Sequence, residues 1–146
     1  YETISLFEQA GHKVYRDSRI DEICWGEHEG KSGEAFLMEK YYRIIDSWSK
    51  GDYHDKPEGG ESAHELSLRL QSFISDLHEK TFSNALVCTH GRTLRAMMCL
   101  LFQRPLSHMD QIPHRNTGLY LLRFHDEAWQ LLRENDCSHL AEKVLV

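Results

Sequence analysis

Apolar residues recur at helical spacing through much of this chain, and the clearest stripe lies within residues 61–80. There an apolar residue returns every three or four positions, which predicts a helix that buries one face against the rest of the protein. Ser62 and Glu65 match a capping box, so we expect this helix to begin directly after Ser62. The stripe comprises Leu66, Leu70, Phe73, Ile74 and Leu77.

Three other segments are predicted to be helical. Residues 1–10 would turn Ile4 and Phe7 inward and end at a glycine. Residues 34–48 have one apolar side. Residues 92–102 are apolar over most of the helix circumference, which predicts that this helix is well buried. The apolar side of the segment 34–48 comprises Phe36, Tyr41, Ile44, Ile45 and Trp48.

The strands are predicted from shorter apolar runs. Residues 13–16 are a short candidate, and residues 86–89 are a candidate for a buried strand. Residues 118–124 and 129–133 are expected to form the two strands of a hairpin. Helices that alternate with strands predict one layered α/β domain over residues 1–146.

Composition supports a folded domain and narrows its partners. The 146 residues are 40% hydrophobic and 27% charged, as is usual for a globular protein. The net charge of −6 argues against nucleic-acid binding, which needs a basic face. No apolar run approaches the roughly 18 residues that cross a membrane, and no signal peptide is visible, so we expect neither a membrane protein nor a secreted one.

The cysteines indicate a reducing compartment. None of the four forms a C-x-x-C pair, and Cys88 and Cys99 lie in apolar runs. Buried free thiols are therefore expected rather than disulfides, which favours a cytoplasmic location.

The segment 87–98 carries the strongest candidate chemistry. A predicted strand runs into Thr-His-Gly, and a predicted helix follows at once. The first N–H groups of a helix are unpaired and carry partial positive charge, so this turn suits an anion such as phosphate. His90 could bind a phosphoryl oxygen there, although a histidine in such a place could equally serve only local hydrogen bonds.

Four motifs follow one another along the chain. An acidic loop with glycines spans residues 19–30, Gly-Gly-Glu-Ser at 59–62 opens the helix that carries Arg69, Thr-His-Gly stands at 89–91, and Asn-Thr-Gly at 116–118 opens the hairpin. Their order and spacing resemble the phosphatase branch of the histidine phosphatase superfamily, the phosphoglycerate mutase-like proteins, over nearly the whole chain. The resemblance implies a three-layer α/β/α fold with a mostly parallel central sheet.

The resemblance also implies catalysis through a phosphohistidine. In this family a histidine of an Arg-His-Gly motif on the first strand attacks the phosphoryl group, and no Arg-His-Gly occurs in these 146 residues. We therefore expect that strand upstream of Tyr1, and we expect the chain without it to expose apolar faces and to be inactive alone. His90 matches the family's second histidine. Glu22 matches the acid that protonates the leaving oxygen, for which it would need a raised pKa.

The candidates for substrate binding have weaker motifs. Gly91 and Arg92 follow His90 directly, Trp25 lies near the acid, and Asn116 opens the last hairpin. Each side chain has a plainer interpretation, since Arg92 could face solvent, Asn116 could be a turn residue and Trp25 could pack in the core. The ten histidines show neither H-x-x-x-H nor H-x-H spacing, so no metal site and no cofactor are predicted.

The leading hypothesis is hydrolysis of a small phosphate monoester without a metal ion. Mutases of the family carry a long insertion after the acid loop, and the short interval of residues 22–60 therefore favours a phosphatase. A mutase and a non-catalytic protein that binds a phosphorylated ligand stay open as alternatives. The aromatic residues within 34–56 are candidates for selecting the substrate. The sequence leaves open which ester this is and whether the protein forms a homodimer.

Overall fold

The computed structural model of the chain describes residues 2–30 and 35–140. Its α-helices are α1 (Glu2–Gln9), α2 (Ala35–Ser49), α3 (Ala63–Glu79) and α4 (Gly91–Leu101). Short 3₁₀ helices span Ser18–Ile20, Gly26–His28, Leu106–Gln111 and Ser138–Leu140. The strands β1 (Leu119–His125) and β2 (Ala128–Asp136) pair as an antiparallel hairpin. The predicted helices and hairpin are confirmed, although the expected start of α2 at residue 34 lies outside the described residues.

The hydrophobic core lies where α3 and α4 pack together and meet α2 and the 3₁₀ segment that follows α4. Leu66, Leu70 and Phe73 of the predicted stripe are buried, and Ile74 and Leu77 pack partly covered against the core. The prediction that α4 is well buried is confirmed, since six of its eleven residues are buried. None of the described helices, α4 included, is long and apolar enough to cross a membrane.

The predicted capping box fixes the start of α3. The Ser62 hydroxyl accepts a hydrogen bond from the Glu65 amide (3.1 Å), and Glu65 Oε2 accepts one from the Ser62 amide (2.8 Å). These reciprocal bonds satisfy two N–H groups that have no partner within the helix. The cap therefore determines where the preceding loop, residues 57–61, enters the helix, and this loop forms part of the candidate site.

Two segments that were predicted as strands do not join a sheet. Residues 13–16 and 86–89 have no regular secondary structure, and the sheet of the described residues consists of β1 and β2. The prediction that 86–89 is a buried strand is wrong, because Leu86 is 54% exposed and Cys88 is exposed. An apolar run forms a buried strand only where neighbouring strands and helices cover it. The described residues supply no such strand, and they therefore do not form a parallel sheet.

Large apolar side chains are exposed on several elements. Phe7 is 45% exposed and Phe36 is 65% exposed, so the predictions that both face the core are wrong, whereas Ile44 and Trp48 of α2 are buried as predicted. Helical spacing assigns a residue to one side of a helix, but it does not determine how far the neighbouring elements cover that side. The expected exposure of apolar faces is confirmed. It includes Leu86, Leu119, Leu121, Phe124 and Leu132.

Candidate active site

The Glu22 side chain lies at the N-terminus of α4. Its Oε1 atom accepts hydrogen bonds from the amides of Ile23 (3.0 Å) and Thr93 (3.0 Å), and Oε2 accepts one from the amide of Arg92 (3.2 Å). The Thr93 hydroxyl lies 3.0 Å from Oε1. Amides in the first turn of a helix have no partner within the helix and favour negative charge. The Glu22 carboxylate thus occupies the helix end at which the sequence predicted an anion.

This environment lowers the pKa of Glu22 below its ordinary value of 4.5. Burial is the largest single influence and raises the pKa, but hydrogen bonds from three amides and from the Thr93 hydroxyl together outweigh it. The raised pKa expected from the sequence is therefore not found in this structure, because these donors stabilise the carboxylate. A lowered pKa means that the contacts stabilise the fold above about pH 4.5, and that this stabilisation is lost as the pH falls through the folded-state pKa.

His90 is the N-cap residue of α4, and its side chain makes no capping hydrogen bond. His90 is exposed to solvent, and its part in binding a phosphoryl group stays a prediction. Gly91 follows it, and a Cβ atom at Gly91 would lie 3.1 Å from Cε1 of the His114 ring. His114, which no motif singled out, therefore packs against the His-Gly turn and leaves little room for a larger side chain.

The Arg92 side chain is buried and hydrogen-bonded to two other side chains. Its Nη1 atom donates to Asp110 Oδ1 (2.7 Å), Nη2 donates to the Tyr41 hydroxyl (3.3 Å), and only 8% of the side chain is exposed. Arg95, the next arginine along α4, reaches the same carboxylate at 3.2 Å. Arg92 is therefore not solvent-facing, and what it contributes beside Glu22 is its backbone nitrogen.

The structure gives the other two binding candidates separate surroundings. The Trp25 ring contacts the rings of Tyr41 (4.9 Å between centroids) and Trp48 (5.7 Å), and it packs partly covered against the core. Asn116 is exposed in the turn before β1. Both positions agree with core packing and turn formation, and a part of either residue in substrate binding stays a prediction.

An open cleft of about 480 Å³ lies beside Glu22. Its walls come from the acid loop, from the loop before α3 and from α3 itself, and they include Asp21, Glu22, Cys24, Glu61 and Arg69. Carboxylates outnumber cations on these walls, so the described surface of the cleft is not the basic pocket that a phosphate needs. Within the described part of the chain, no three His, Cys, Asp or Glu side chains are grouped as metal ligands would be.

Backbone hydrogen bonds hold the acid loop against the loop before α3. The amide of Glu27 donates to the carbonyl of Glu58 (3.0 Å), and the amide of Glu61 donates to the carbonyl of Cys24 (2.8 Å). Gly26 lies between these contacts with a φ of +52°, and a Cβ atom there would lie 2.2 Å from the carbonyl oxygen of Glu58. The two loops approach so closely at this point that only glycine fits.

Replacing Gly26 with alanine should therefore destabilise the protein more than the same change at Gly30. Both glycines have a positive φ, which costs an alanine about 1–2 kcal/mol. Among the described residues, no atom lies within 4 Å of a Cβ position at Gly30, whereas the clash at Gly26 adds about 1–3 kcal/mol. Urea unfolding of the two variants measures the difference. Equal losses of unfolding free energy would contradict the close approach of the two loops.

Comparison with known proteins connects this geometry to a family. The model of the family described as "Histidine phosphatase superfamily (branch 1)" matches residues 1–137. A protein of Hydrogenobacter thermophilus named "Putative phosphoserine phosphatase 2" is 28% identical over 136 residues, which are 93% of this chain and 66% of that protein. The chain thus spans just under two thirds of the length of this relative.

Solved structures with the same fold agree with this match. The α-ribazole phosphatase from Shigella flexneri aligns with a TM-score of 0.76 at 19% identity, over 92% of this chain and 66% of that one. The mycobacterial glucosyl-3-phosphoglycerate phosphatase, in its complex with inorganic phosphate, aligns with a TM-score of 0.73 at 21% identity, over 92% and 70%. This likeness shows the α/β fold of the phosphoglycerate mutase-like proteins, as the sequence motifs implied. Since the family model also matches nearly all of its residues, the chain belongs to the histidine phosphatase superfamily.

Proposed function

We propose that the protein hydrolyses a small phosphate monoester through a phosphohistidine intermediate. The nucleophile would be a histidine outside these 146 residues, His90 would bind the phosphoryl group, and Glu22 would protonate the leaving oxygen. The observation that carries this proposal is that the Glu22 carboxylate binds the amides of Arg92 and Thr93, directly after His90. The acid and the histidine thus flank one helix end, where a single phosphoryl group can contact both. The phosphatase names of the relatives support the same reaction class.

Glu22 changes its role between the two steps of the proposed reaction. In the first step the histidine nitrogen forms a bond to phosphorus, the P–O bond to the leaving group breaks, and the Glu22 proton passes to that oxygen. In the second step the oxygen of a water molecule forms a bond to phosphorus, and Glu22 takes a proton from this water. The P–N bond breaks, its electron pair returns to the histidine nitrogen, and inorganic phosphate leaves. His90 stabilises the charge on the phosphoryl oxygens in both steps.

The lowered pKa of Glu22 is compatible with this cycle because the substrate changes its surroundings. A phosphoryl dianion at the start of α4 competes with the carboxylate for the same amides, and it also repels the carboxylate charge. Loss of the amide contacts and repulsion both raise the pKa of Glu22. The bound substrate would in this way produce the protonated acid that its own leaving group requires.

The remaining parts of the proposal concern the setting of the reaction. We propose a cytoplasmic location, which is supported by four free thiols, of which Cys24 and Cys88 are exposed. The substrate is a small molecule rather than a nucleic acid, since the net charge is −6. The histidine and glutamate chemistry described above requires no metal ion.

Phosphate release tests the proposal in a protein that contains these 146 residues together with an upstream Arg-His-Gly segment. We expect release of inorganic phosphate from aryl and sugar phosphates, and rapid quenching should trap a phosphoryl group that is labile in acid and stable in alkali. The 146-residue chain alone is the control and should release none. Absence of release from every ester would contradict hydrolysis and favour a binding protein, whereas a requirement for a bisphosphate primer would favour a mutase.

A further inference from the structure

Three side chains form hydrogen bonds with four consecutive backbone carbonyl groups of the acid loop, those of residues 19–22. Arg69 binds the outer two, since its Nη1 atom donates to the carbonyl of Arg19 (2.6 Å) and its Nη2 atom donates to that of Glu22 (3.3 Å). Carbonyls of an irregular loop are usually satisfied by water or by neighbouring backbone. Here one guanidinium from α3 spans residues 19–22 of the acid loop and binds the first and the last of these carbonyls.

Two threonines bind the inner carbonyls. The Thr89 hydroxyl donates to the carbonyl of Ile20 (2.6 Å), and the Thr93 hydroxyl lies 2.8 Å from that of Asp21. Thr93 has no exposed surface, so its hydroxyl depends on protein partners. We call Arg69, Thr89 and Thr93 together the carbonyl clamp. It reaches the acid loop from α3, from the segment before α4 and from α4 itself.

The carboxylate of Glu61 fixes the orientation of the Arg69 guanidinium. Its Nε atom donates to Glu61 Oε1 (2.6 Å), and Nη2 donates to Glu61 Oε2 (2.8 Å), in a two-pronged pair. Such pairs fix the plane of an arginine as well as its position. The outer carbonyls of the loop are therefore held at a defined distance from the start of α3, where Glu61 lies.

The Thr93 hydroxyl has a second neighbour, the Glu22 carboxylate, at 3.0 Å. A hydroxyl has one proton to donate and can also accept. When Glu22 is ionised, this proton can be directed to its Oε1 atom. When Glu22 is protonated, its own O–H can donate to the threonine oxygen, and the threonine proton can be directed to the carbonyl of Asp21. The Thr93 hydroxyl can therefore form a hydrogen bond with Glu22 both when Glu22 is ionised and when it is protonated.

We propose that Thr93, supported by Arg69 and Thr89, is a positioning residue that holds Glu22 in place in both of its protonation states. This inference rests on the proposed role of Glu22 as the proton donor. According to this proposal, the carbonyl clamp contributes to the reaction by positioning Glu22, and its members need not contact the substrate. The alternative is that the clamp only stabilises the loop.

Matched variants separate these two roles. Thr93→Val keeps the shape of the side chain and removes the hydroxyl, whereas Thr93→Ser keeps the hydroxyl. Ser67→Ala removes another buried hydroxyl, one that donates to a carbonyl within α3 (2.7 Å), and serves as the control for stability. Arg69→Lys keeps a charge beside Glu61 but cannot span two carbonyls. It provides an independent test if Thr93→Val does not fold.

The first measurement is the pKa of Glu22, from the ¹³C signal of its carboxyl group in the protein that contains the upstream Arg-His-Gly segment. We expect Thr93→Val to raise this pKa by about 1, a tenfold change in proton affinity, because the carboxylate loses a donor. Arg69→Lys should also raise the pKa of Glu22. Thr93→Ser and Ser67→Ala should leave this pKa unchanged. An unchanged pKa in Thr93→Val and in Arg69→Lys overturns the proposal, whatever the enzyme activity.

The second measurement uses alkyl and aryl phosphates in the protein that contains the upstream nucleophile. Thr93→Val should lower kcat/KM for an alkyl phosphate about tenfold and lower it less for p-nitrophenyl phosphate. It should cause no further loss of kcat/KM when it is combined with Glu22→Gln. Thr93→Ser should restore the activity. If Glu22→Gln itself lowers kcat/KM equally for the two substrates, the proton-donor role fails and the positioning role fails with it. If Glu22→Gln distinguishes the two substrates but Thr93→Val lowers kcat/KM equally for both, the carbonyl clamp only stabilises the loop. The proposed function would then stand.

Discussion

Replacing Glu22 with glutamine should lower kcat/KM for an alkyl phosphate by about 10²–10⁴-fold, the usual contribution of a positioned proton donor. This ratio reports the step in which the leaving group departs and not the later hydrolysis of the phosphohistidine. Glutamine has nearly the same size, and its amide oxygen, in the place of Oε1, can still accept hydrogen bonds from the amides of Ile23 and Thr93. Its NH2 group, in the place of Oε2, gives up the hydrogen bond from the Arg92 amide. It has no acidic proton to give to the leaving alkoxide. The loss should be much smaller for p-nitrophenyl phosphate, because this leaving group departs without a proton. Steady-state kinetics of the protein with its upstream nucleophile measure both values.

Glu58→Gln is the matched control for this experiment. Glu58 lies in the loop before α3, and the contact that it makes with the acid loop uses its backbone carbonyl. Its substitution changes the charge of this region by the same amount and should leave both substrates unaffected. If Glu22→Gln lowered kcat/KM equally for the alkyl and aryl esters, the carboxylate would serve the helix end rather than the leaving group. Urea unfolding of the same variant would then show a matching loss of stability.

Local sequence predicted those elements whose determinants are local. The stripe of α3 and its capping box lie within one segment, and both are found where expected. The hairpin of β1 and β2 likewise pairs neighbouring segments of the chain. Residues 86–89 show the opposite case, because burial of such a run depends on strands from elsewhere, and none is supplied by the described residues. The apolar run was recognised correctly, but its burial was not a local property.

The surroundings of Glu22 could not be predicted for the same reason. Its motif identified the residue, but the donors that lower its pKa include Arg92 and Thr93, about seventy positions further along the chain. The sequence predicts Arg92 as a binding residue because it follows Gly91, and this stays a prediction. Its guanidinium donates a hydrogen bond to Asp110, in a 3₁₀ segment that no pattern predicts. The spacing of the motifs thus identified the candidate segments. Which atoms of each residue lie beside Glu22 depends on tertiary contacts, which local sequence does not determine.

Replacing His90 with asparagine should lower kcat by about 10²–10³-fold for alkyl and aryl phosphates alike, in contrast to Glu22→Gln. Loss of a single donor that stabilises transition-state charge has this magnitude in other enzymes. The two substrates should respond equally because His90 is proposed to bind the phosphoryl group, which they share, and not the leaving group. Asparagine is among the best N-cap residues, so the start of α4 should be preserved. Steady-state kinetics of the protein with its upstream nucleophile measure the loss.

His125→Asn is the control, since His125 lies in the hairpin with its side chain 63% exposed and pairs with Asp126 at 2.9 Å. It should change kcat less than twofold. A His90→Asn enzyme with undiminished kcat would remove His90 from the reaction, and the phosphoryl group would then have to be held by groups outside α4. A large loss of kcat at unchanged unfolding free energy would be a chemical effect, because the capping role of this position survives the substitution and the imidazole does not.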